Sequence, residues 1–209
     1  MEALQAIRQR RSINYFQIGQ SIPDATLHEL LELANLAPSS FNLQPWHVVV
    51  VRNSDRKKIL RQCAMGQPKA EEAAAILIII ADPSAVEANM DRVLDSWTAL
   101  GYMKPEMRKN YAAMINGLYG EPDSQHRRLF AVKNASLFAM NLMIAARGLG
   151  LETHPMDGID ETCIKKEFNI PEDKLIPMII AIGSLRPETE LLPRAFRRDV
   201  AEFTGFETY

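Results

Sequence analysis

The chain has little cysteine and histidine, and neither residue type forms a metal-binding pattern. Its two cysteines, Cys63 and Cys163, stand far apart and lack the paired spacing of a zinc knuckle or a disulfide framework. Both are therefore predicted to be small apolar side chains of the core. The four histidines also lack ligand spacing, so we predict no metal site: His28, His47, His126 and His154.

Excess charge and long apolar segments are also missing. The formal net charge is −2, which gives no basic surface for nucleic acid. Residues 1–11 are polar and charged rather than a signal peptide, and the longest apolar run, residues 73–81, is too short to cross a bilayer. We therefore expect a cytoplasmic protein with no membrane contact.

Familiar catalytic patterns are absent as well. No G-x-G-x-x-G follows a strand pattern, and there is no Walker A loop and no G-x-S-x-G elbow. No nucleophile, base and orienting group can be assembled from neighbouring residues. We therefore predict no catalytic side chain, and if the chain is an enzyme, an organic cofactor carries the chemistry.

What is present is a 209-residue chain of alternating helix and strand patterns, with 47% hydrophobic residues and no repeat or linker. This favours one domain spanning residues 1–209. A short helix is predicted over residues 2–10 with Leu4 and Ile7 inward, and the longest helix over residues 125–147, with Leu129 among its inward residues. The predicted strands cover residues 46–51, 75–81, 151–155 and 175–185, the last one interrupted at Pro177.

Two further segments have no simple pattern. Residues 84–120 look like a helical insertion rich in aromatic residues and methionine, which would be ordinary core, a cover over a pocket or a surface for a partner. Residues 186–209 show neither helix nor strand periodicity, but they contain four arginines and four aromatic residues. We expect this C-terminal arm to lie along a surface of its own subunit or of a partner.

Polar side chains concentrate in Ala37-Pro38-Ser39-Ser40-Phe41-Asn42-Leu43-Gln44-Pro45-Trp46, between a predicted helix and a strand. Hydroxyls and carboxamides donate and accept hydrogen bonds, so they can bind the edges of a planar polar heterocycle. The prolines restrict the backbone that carries them. The same residues are also common in ordinary turns, so either interpretation fits the segment.

A second polar group, Arg10-Arg11-Ser12, follows the first predicted helix. Basic residues are favoured at a helix C-terminus by the helix dipole alone. Arginine forks and a serine hydroxyl also suit a phosphate group. Both interpretations remain open on these three residues.

Taken together, these motifs resemble those of the FMN-dependent nitroreductase family. Arg10-Arg11-Ser12 resembles the family's opening motif, and residues 37–46 resemble its second motif. Pro155-Met156-Asp157-Gly158 is similar to its third, and Arg194 stands where the family carries a C-terminal basic residue. The four occur in the family's order and spacing across essentially the whole chain.

The resemblance implies an α+β fold: a mixed, mostly antiparallel sheet wrapped by helices, in an intertwined homodimer with two FMN sites at the subunit interface. It also implies an NAD(P)H oxidoreductase that reduces nitroaromatic or quinone acceptors, with NADH or NADPH as a transient donor in ping-pong kinetics. Related tasks such as dehalogenation, enone reduction, flavin breakdown or flavin storage remain alternatives.

The cofactor-binding residues are implied position by position. One subunit would supply the phosphate, ribityl and ring contacts, and the other would supply the second motif. The residues are Arg10, Arg11, Ser12, Asn14, Lys69, Pro155, Met156, Asp157, Gly158 and Arg194 on one side, and Pro38, Ser39, Ser40 and Asn42 on the other. The chain departs from the family at Asn14, which is often basic, and at Gly66, where a polar residue is common and Gln67 is a candidate substitute.

Overall fold

A four-stranded sheet forms the centre of the protein, which is described here by a computed structural model covering residues 2–209. Its strands are β1 (Trp46–Val51), β2 (Ala75–Ala81), β3 (Glu152–Met156) and β4 (Leu175–Gly183). They pair in the order β1-β2-β4-β3, and every pair is antiparallel. An isolated parallel bridge between Ser12 and Thr153 adds the mixed character that the family resemblance implied. The predicted α+β fold is therefore confirmed.

Within residues 2–209, eight α-helices surround the sheet. They are α1 (Ala3–Gln9), α2 (Asp24–Asn35), α3 (Ser54–Cys63), α4 (Lys69–Glu72), α5 (Ala85–Ala99), α6 (Arg108–Tyr119), α7 (Gln125–Gly148) and α8 (Glu161–Phe168). Single 3₁₀ turns occur at Ser40–Asn42, Pro105–Met107 and Val200–Glu202.

The two faces of the sheet are covered by two separate hydrophobic clusters. Strand β2 is buried along its whole length, and its side chains alternate between the clusters because successive strand residues point to opposite faces. Leu77 and Ile79 join the larger cluster, which includes residues of α2, α5, α6 and α7. Ile76 and Ile78 join the smaller one with residues of α3 and α8. Helix α7 is thus a core helix, as predicted.

By length and composition, α7 would also be long enough to cross a membrane. Half of its most apolar stretch is buried inside the protein, however, and it packs on α2 and on the sheet. These contacts explain its apolar composition by the core of the domain.

The prediction that the two cysteines are unpaired is wrong, although Cys63 lies in the smaller cluster and Cys163 packs against it, as expected of core residues. Cys63 and Cys163 form a disulfide, with their Cα atoms 5.5 Å apart. Cys63 ends α3 and Cys163 lies in the first turn of α8, where the Asp160 N–H donates to the Cys63 carbonyl over 2.7 Å. The pairing depends on how two distant helices dock, so spacing in the sequence could not reveal it.

The helix faces were only partly predicted. Leu4 and Ile7 are exposed, and Ala6 is the residue that α1 buries. Leu129 of α7 is also exposed, because the buried stripe of that helix runs through Phe130 and Ala131. Where several faces of a helix carry apolar residues, periodicity alone does not select the one that meets the core.

The proposed break at Pro177 is likewise wrong, because β4 runs through it. The pairing of β2 with β4 shifts register between the pairs Ile79–Met178 and Ala81–Leu175. A proline cannot donate to a sheet ladder, so it is tolerated at such an irregularity.

The insertion, defined as residues 84–120, contains α5 and α6 and is fastened to the core by Arg127. This arginine of α7 is 1% exposed, and its Nη1 donates to Glu87 Oε2 at 2.7 Å and to the Pro83 carbonyl at 3.1 Å. The arm, residues 186–209, leaves its aromatic side chains exposed on the single chain, among them Phe196, Phe203 and Phe206.

Candidate functional site

Four guanidinium groups meet where the arm passes the end of α1. Arg10 and Arg11 directly follow α1, and the arm adds Arg194 and Arg197. Arg194 donates to the carbonyls of Arg8 and Arg10, and Arg11 donates to the carbonyl of Leu192 over 2.9 Å. We call Arg10, Arg11, Arg194 and Arg197 the arginine cluster.

The positive charge of the arginine cluster is only partly offset by a nearby carboxylate, Glu152. Within residues 2–209, none of its four members forms an ion pair with a carboxylate; the nearby Glu152 pairs instead with Arg147 at 2.5 Å. The pKa of Arg10 is lowered, first by burial and then by the positive charges of Arg194, Arg197 and Arg11, although the carboxylate of Glu152 acts in the opposite direction. Because like charges are held together here, an anion with several acceptor oxygens would be strongly favoured.

Ser12 and Asn14 continue from the cluster alongside β3. Ser12 Oγ accepts a long hydrogen bond of 3.4 Å from Arg10, and Ser12 bridges to Thr153 of β3. Asn14 Oδ1 accepts from Lys69 Nζ at 3.0 Å. These two contacts place Lys69 on the same row as Ser12.

His154 of β3 lies close to Lys69. Its Nδ1 is 2.8 Å from the Ile13 carbonyl, so Nδ1 carries the proton and Nε2 is left as an acceptor. Burial and the charge of Lys69 both lower the pKa of His154, and burial alone lowers the pKa of Lys69. The imidazole is therefore held neutral beside a cation.

The third motif lies just beyond β3. Gln67 Nε2 donates to the Gly158 carbonyl at 3.1 Å. The side-chain amide of Gln67, the candidate substitute for the polar residue missing at Gly66, is therefore already hydrogen-bonded to the main chain. Met156 is buried in the smaller cluster, and only its backbone is available to a ligand. The disulfide and the Asp160–Cys63 hydrogen bond fasten the same two segments together just past Gly158.

The second motif forms a distinct structure that we call the carboxamide turn, residues 38–44. Its backbone is left-handed at three non-glycine positions: Phe41 (φ 51°), Asn42 (φ 56°) and Gln44 (φ 47°). The Gln44 side chain donates to the carbonyl and Oδ1 of Asn42, both at 3.1 Å. Pro38 and Asn42 are exposed, and Ser39 and Ser40 are partly exposed.

The arginine cluster and the carboxamide turn do not meet within one chain. The turn leads into β1 at one edge of the sheet, whereas Ser12 and the third motif lie along β3 at the other edge. Three strand spacings separate these edges, which is about 14 Å. The structure therefore brings the predicted residues together as two groups and not as one site.

A polar cleft of about 380 Å³ opens beside the carboxamide turn. Asn42 and Gln44 line it on one side, and Asn89 and Arg92 of α5 line it on the other. The cleft joins the second motif to the insertion.

Several residues near these groups were not predicted. Arg197 stands in a basic stretch of the arm, which sequence alone could not orient. His154 is distant in sequence from Lys69, and no pattern links them. Asn134 was detectable in principle, since a polar residue on an apolar face of the longest helix signals a buried hydrogen bond; its Oδ1 accepts from the Ser40 N–H at 3.0 Å.

Comparison with known proteins agrees with this architecture. The sequence profile of the nitroreductase family matches residues 7–184. MhqN of Bacillus subtilis, whose name describes it provisionally as an NAD(P)H nitroreductase, is 34% identical over 200 residues and covers 96% of each chain.

Two solved structures share the fold. A crystal structure from Bacillus subtilis described as the nitroreductase ydfN superposes with a TM-score of 0.87 at 33% identity, covering 97% of both chains. A nitroreductase-like structure from Exiguobacterium sibiricum, solved in complex with FMN, gives a TM-score of 0.88 at 24% identity, covering 99% of this chain and 98% of that one. The match of the family profile over most of the chain and the identity to MhqN show that this protein belongs to the nitroreductase family of oxidoreductases.

Proposed function

We propose that this protein is an FMN-dependent NAD(P)H oxidoreductase that reduces nitroaromatic or quinone-type acceptors and works as a homodimer in the cytoplasm. The observation that carries the proposal is the arginine cluster, in which no guanidinium is paired with a carboxylate of residues 2–209. It stands at one end of a row of polar groups that leads along β3 to Lys69 and the third motif.

The chain's donors suit the phosphate end of FMN. A phosphate dianion needs fixed positive charge and several N–H or O–H donors. Arg10, Arg11 and Arg194 would supply the charge, and Ser12 would supply a hydroxyl. The charge that lowers the pKa of Arg10 would be compensated by the bound phosphate.

The rest of the row suits the flavin ring. Lys69 would place a cation at its pyrimidine edge, with Asn14 orienting the ammonium group. Pro155, Met156, Asp157 and Gly158 would line the ring mainly through the backbone. When bound, FMN would supply the redox chemistry, taking a hydride from NADH or NADPH and passing it to the acceptor in separate binding events.

A second copy of the chain would complete the site. Pro38, Ser39, Ser40 and Asn42 would reach the flavin from the partner, because they lie across the sheet from the row in their own chain. The single chain also exposes apolar residues beside a groove between α1, α2 and α7, including Leu4, Ile7, Leu33 and Leu36. A twofold interface and an arm laid on the partner would cover such residues.

The direct test is an absorbance spectrum of the purified protein, before and after anaerobic NADH or NADPH. Visible flavin bands that bleach with the donor and return with a nitroaromatic or quinone support the proposal. Flavin that bleaches but is reoxidised only by enones or halogenated acceptors would favour one of the other reductive tasks. Flavin that stays oxidised with both donors points to storage, and protein that binds no added FMN contradicts the proposal.

Subunit mixing tests the shared site. Arg10→Ala and Asn42→Ala should each weaken FMN binding in their own homodimers. In a mixed dimer, one of the two sites receives both intact groups, so half of the flavin-binding capacity should return. Mixed dimers that regain no binding would show that both groups serve the same subunit's site.

A further inference from the structure

The carboxamide turn holds a conformation that its own residues disfavour. Left-handed backbone is tolerated by asparagine, but it costs about 1 kcal/mol for residues such as phenylalanine and glutamine. Phe41 and Gln44 both adopt it, with Asn42 between them. Hydrogen bonds within the turn, from the Gln44 N–H to Ser39 Oγ and from the Gln44 side chain to Asn42, support this shape, and contacts from outside the turn add to them.

Some of that support comes from the core. Asn134 of α7 is 2% exposed; its Oδ1 accepts from the Ser40 N–H at 3.0 Å, and its Nδ2 donates to the Phe130 carbonyl at 2.7 Å. Leu43 is fully buried in the larger cluster. These contacts anchor the two ends of the turn's 3₁₀ segment.

Further support comes from the insertion. Asn89 of α5 donates from Nδ2 to the Leu43 carbonyl at 2.8 Å. The Phe41 ring lies against two aromatic rings of the insertion, 6.3 Å from that of Trp97 and 6.2 Å edge-on from that of Tyr119. Trp97 in turn meets Tyr111 at 5.8 Å. The ring of Phe41, whose backbone is left-handed, thus packs between α5 and α6.

We propose that the insertion, residues 84–120, holds the carboxamide turn in the conformation that presents Ser39, Ser40 and Asn42 to the flavin. Phe41 and Asn89 are the positioning residues, acting through the turn and not by touching the flavin. The inference rests on the proposed function for its ligand, but the contacts that carry it belong to the chain alone. It gives the insertion a role beyond covering a pocket.

Tyr119 offers a matched control. Its hydroxyl is buried and, within residues 2–209, has no hydrogen-bond partner. Tyr119→Phe therefore keeps the ring that Phe41 contacts and removes no recorded hydrogen bond. By contrast, Phe41→Leu removes a ring at similar apolar volume, and Asn89→Ala removes one amide donor.

The first measurement is hydrogen–deuterium exchange of the full chain without added ligand, in peptides covering residues 39–46. We expect the amides of Ser40 and Gln44 to exchange about tenfold faster in Phe41→Leu and about fivefold faster in Asn89→Ala, since the ring contacts contribute about 1.4 kcal/mol and the single hydrogen bond about 1 kcal/mol. Tyr119→Phe should match the wild type. Thermal unfolding of each variant checks that it remains folded.

The second measurement is FMN binding to the same proteins, with the visible circular dichroism of the bound flavin as a signature of its surroundings. Phe41→Leu and Asn89→Ala should weaken binding by about tenfold and about fivefold and alter the dichroic band, whereas Tyr119→Phe should do neither. A loss of general stability alone would lower the melting temperature without changing the band of the flavin that remains bound.

The outcomes separate the two proposals. If both variants keep wild-type exchange, FMN affinity and dichroism, the positioning role is wrong while the flavin function stands. If exchange accelerates but FMN affinity and dichroism do not change, the insertion holds the turn but the turn does not position the flavin. If the wild type binds no FMN, the proposed function fails, and exchange still decides whether the insertion holds the turn.

Discussion

The arginine cluster and the carboxamide turn differ in their charge and in the contacts that hold them in place. The cluster gathers four positive charges that Glu152 offsets only in part, and its arm residues are attached mainly through hydrogen bonds to backbone carbonyls. The turn carries no formal charge, but its backbone is hydrogen-bonded to the side chains of Asn134 and Asn89, and its Phe41 ring packs against the ring of Trp97. One region provides affinity for an anion, and the other provides a fixed shape.

This difference predicts where each region is sensitive. Electrostatic groups act at a distance and tolerate small displacements, because Coulomb energy changes gradually with separation. Hydrogen-bonding groups that recognise a ring edge need fixed positions, since such bonds weaken steeply with poor angles. Removing a charge should therefore change affinity for the phosphate, whereas loosening the turn should change the environment of the ring.

The largest expected effect tests the covalent support beside the third motif. The Cys63–Cys163 disulfide closes a loop of 100 residues and fastens the segments around Gln67 and Gly158. Reducing it should lower the free energy of unfolding by about 2–4 kcal/mol, because the unfolded chain regains freedom. Urea unfolding with and without a thiol reductant measures this.

Cys163→Ser is the matched control for that experiment. It should already have the lower stability, and the reductant should change it no further. If wild-type stability is the same with and without reductant, the disulfide does not contribute as expected. No comparable covalent tie holds the carboxamide turn among residues 2–209, so the reductant should leave exchange at residues 39–46 unchanged.

The next effect separates charge from shape. Arg10→Gln should weaken FMN binding by about 1.5–3 kcal/mol, because it removes a charge-assisted contact to the phosphate. Riboflavin, which lacks the phosphate, should bind the variant and the wild type equally. Titration with both flavins measures the difference, and an equal loss for riboflavin would show that Arg10 acts on the ring or on the fold.

The two regions also differ in how far sequence could predict them. The order and spacing of the motifs indicated the family and its α+β fold, and they pointed to Arg10, Arg11, Arg194 and the residues of the carboxamide turn, because each motif is a short run of residues that can be recognised on its own. The direction in which Arg197 points, the approach of His154 to Lys69 and the support of the turn by Asn89 all depend on the docking of distant segments. Such contacts cannot be predicted from the spacing of residues along the sequence.

The disulfide and the exposed face of α1 illustrate the same limit. Cys63 and Cys163 resemble core residues until α3 and α8 are placed side by side. Leu4 and Ile7 resemble inward residues because apolar periodicity does not distinguish a core from a subunit interface. If the proposed homodimer covers these side chains, the apolar periodicity of α1 marks the subunit interface and not the core of the single chain.

A smaller effect sharpens the boundary of the arginine cluster. Arg197 is close enough to Arg10 to lower its pKa, whereas the adjacent Arg198 has its guanidinium 5.4 Å from the centre of the Phe203 ring. Arg197→Gln should therefore weaken FMN binding by about 1 kcal/mol, and Arg198→Gln should leave it unchanged. Equal losses for both variants would indicate a diffuse effect of net charge.

The smallest expected effect concerns the ionisation of His154, whose imidazole lies next to the Lys69 ammonium group. Burial, and to a lesser degree Lys69, lowers the pKa of His154, so the fold prefers the neutral imidazole. The unfolded chain then binds more protons, and stability should fall as the pH drops from about 6.5 towards the lowered pKa. His154→Gln should remove this part of the pH dependence.

In a nuclear magnetic resonance titration, Lys69→Met should raise the pKa of His154 only partway, because burial remains; a full return to the ordinary value would make Lys69 the main cause.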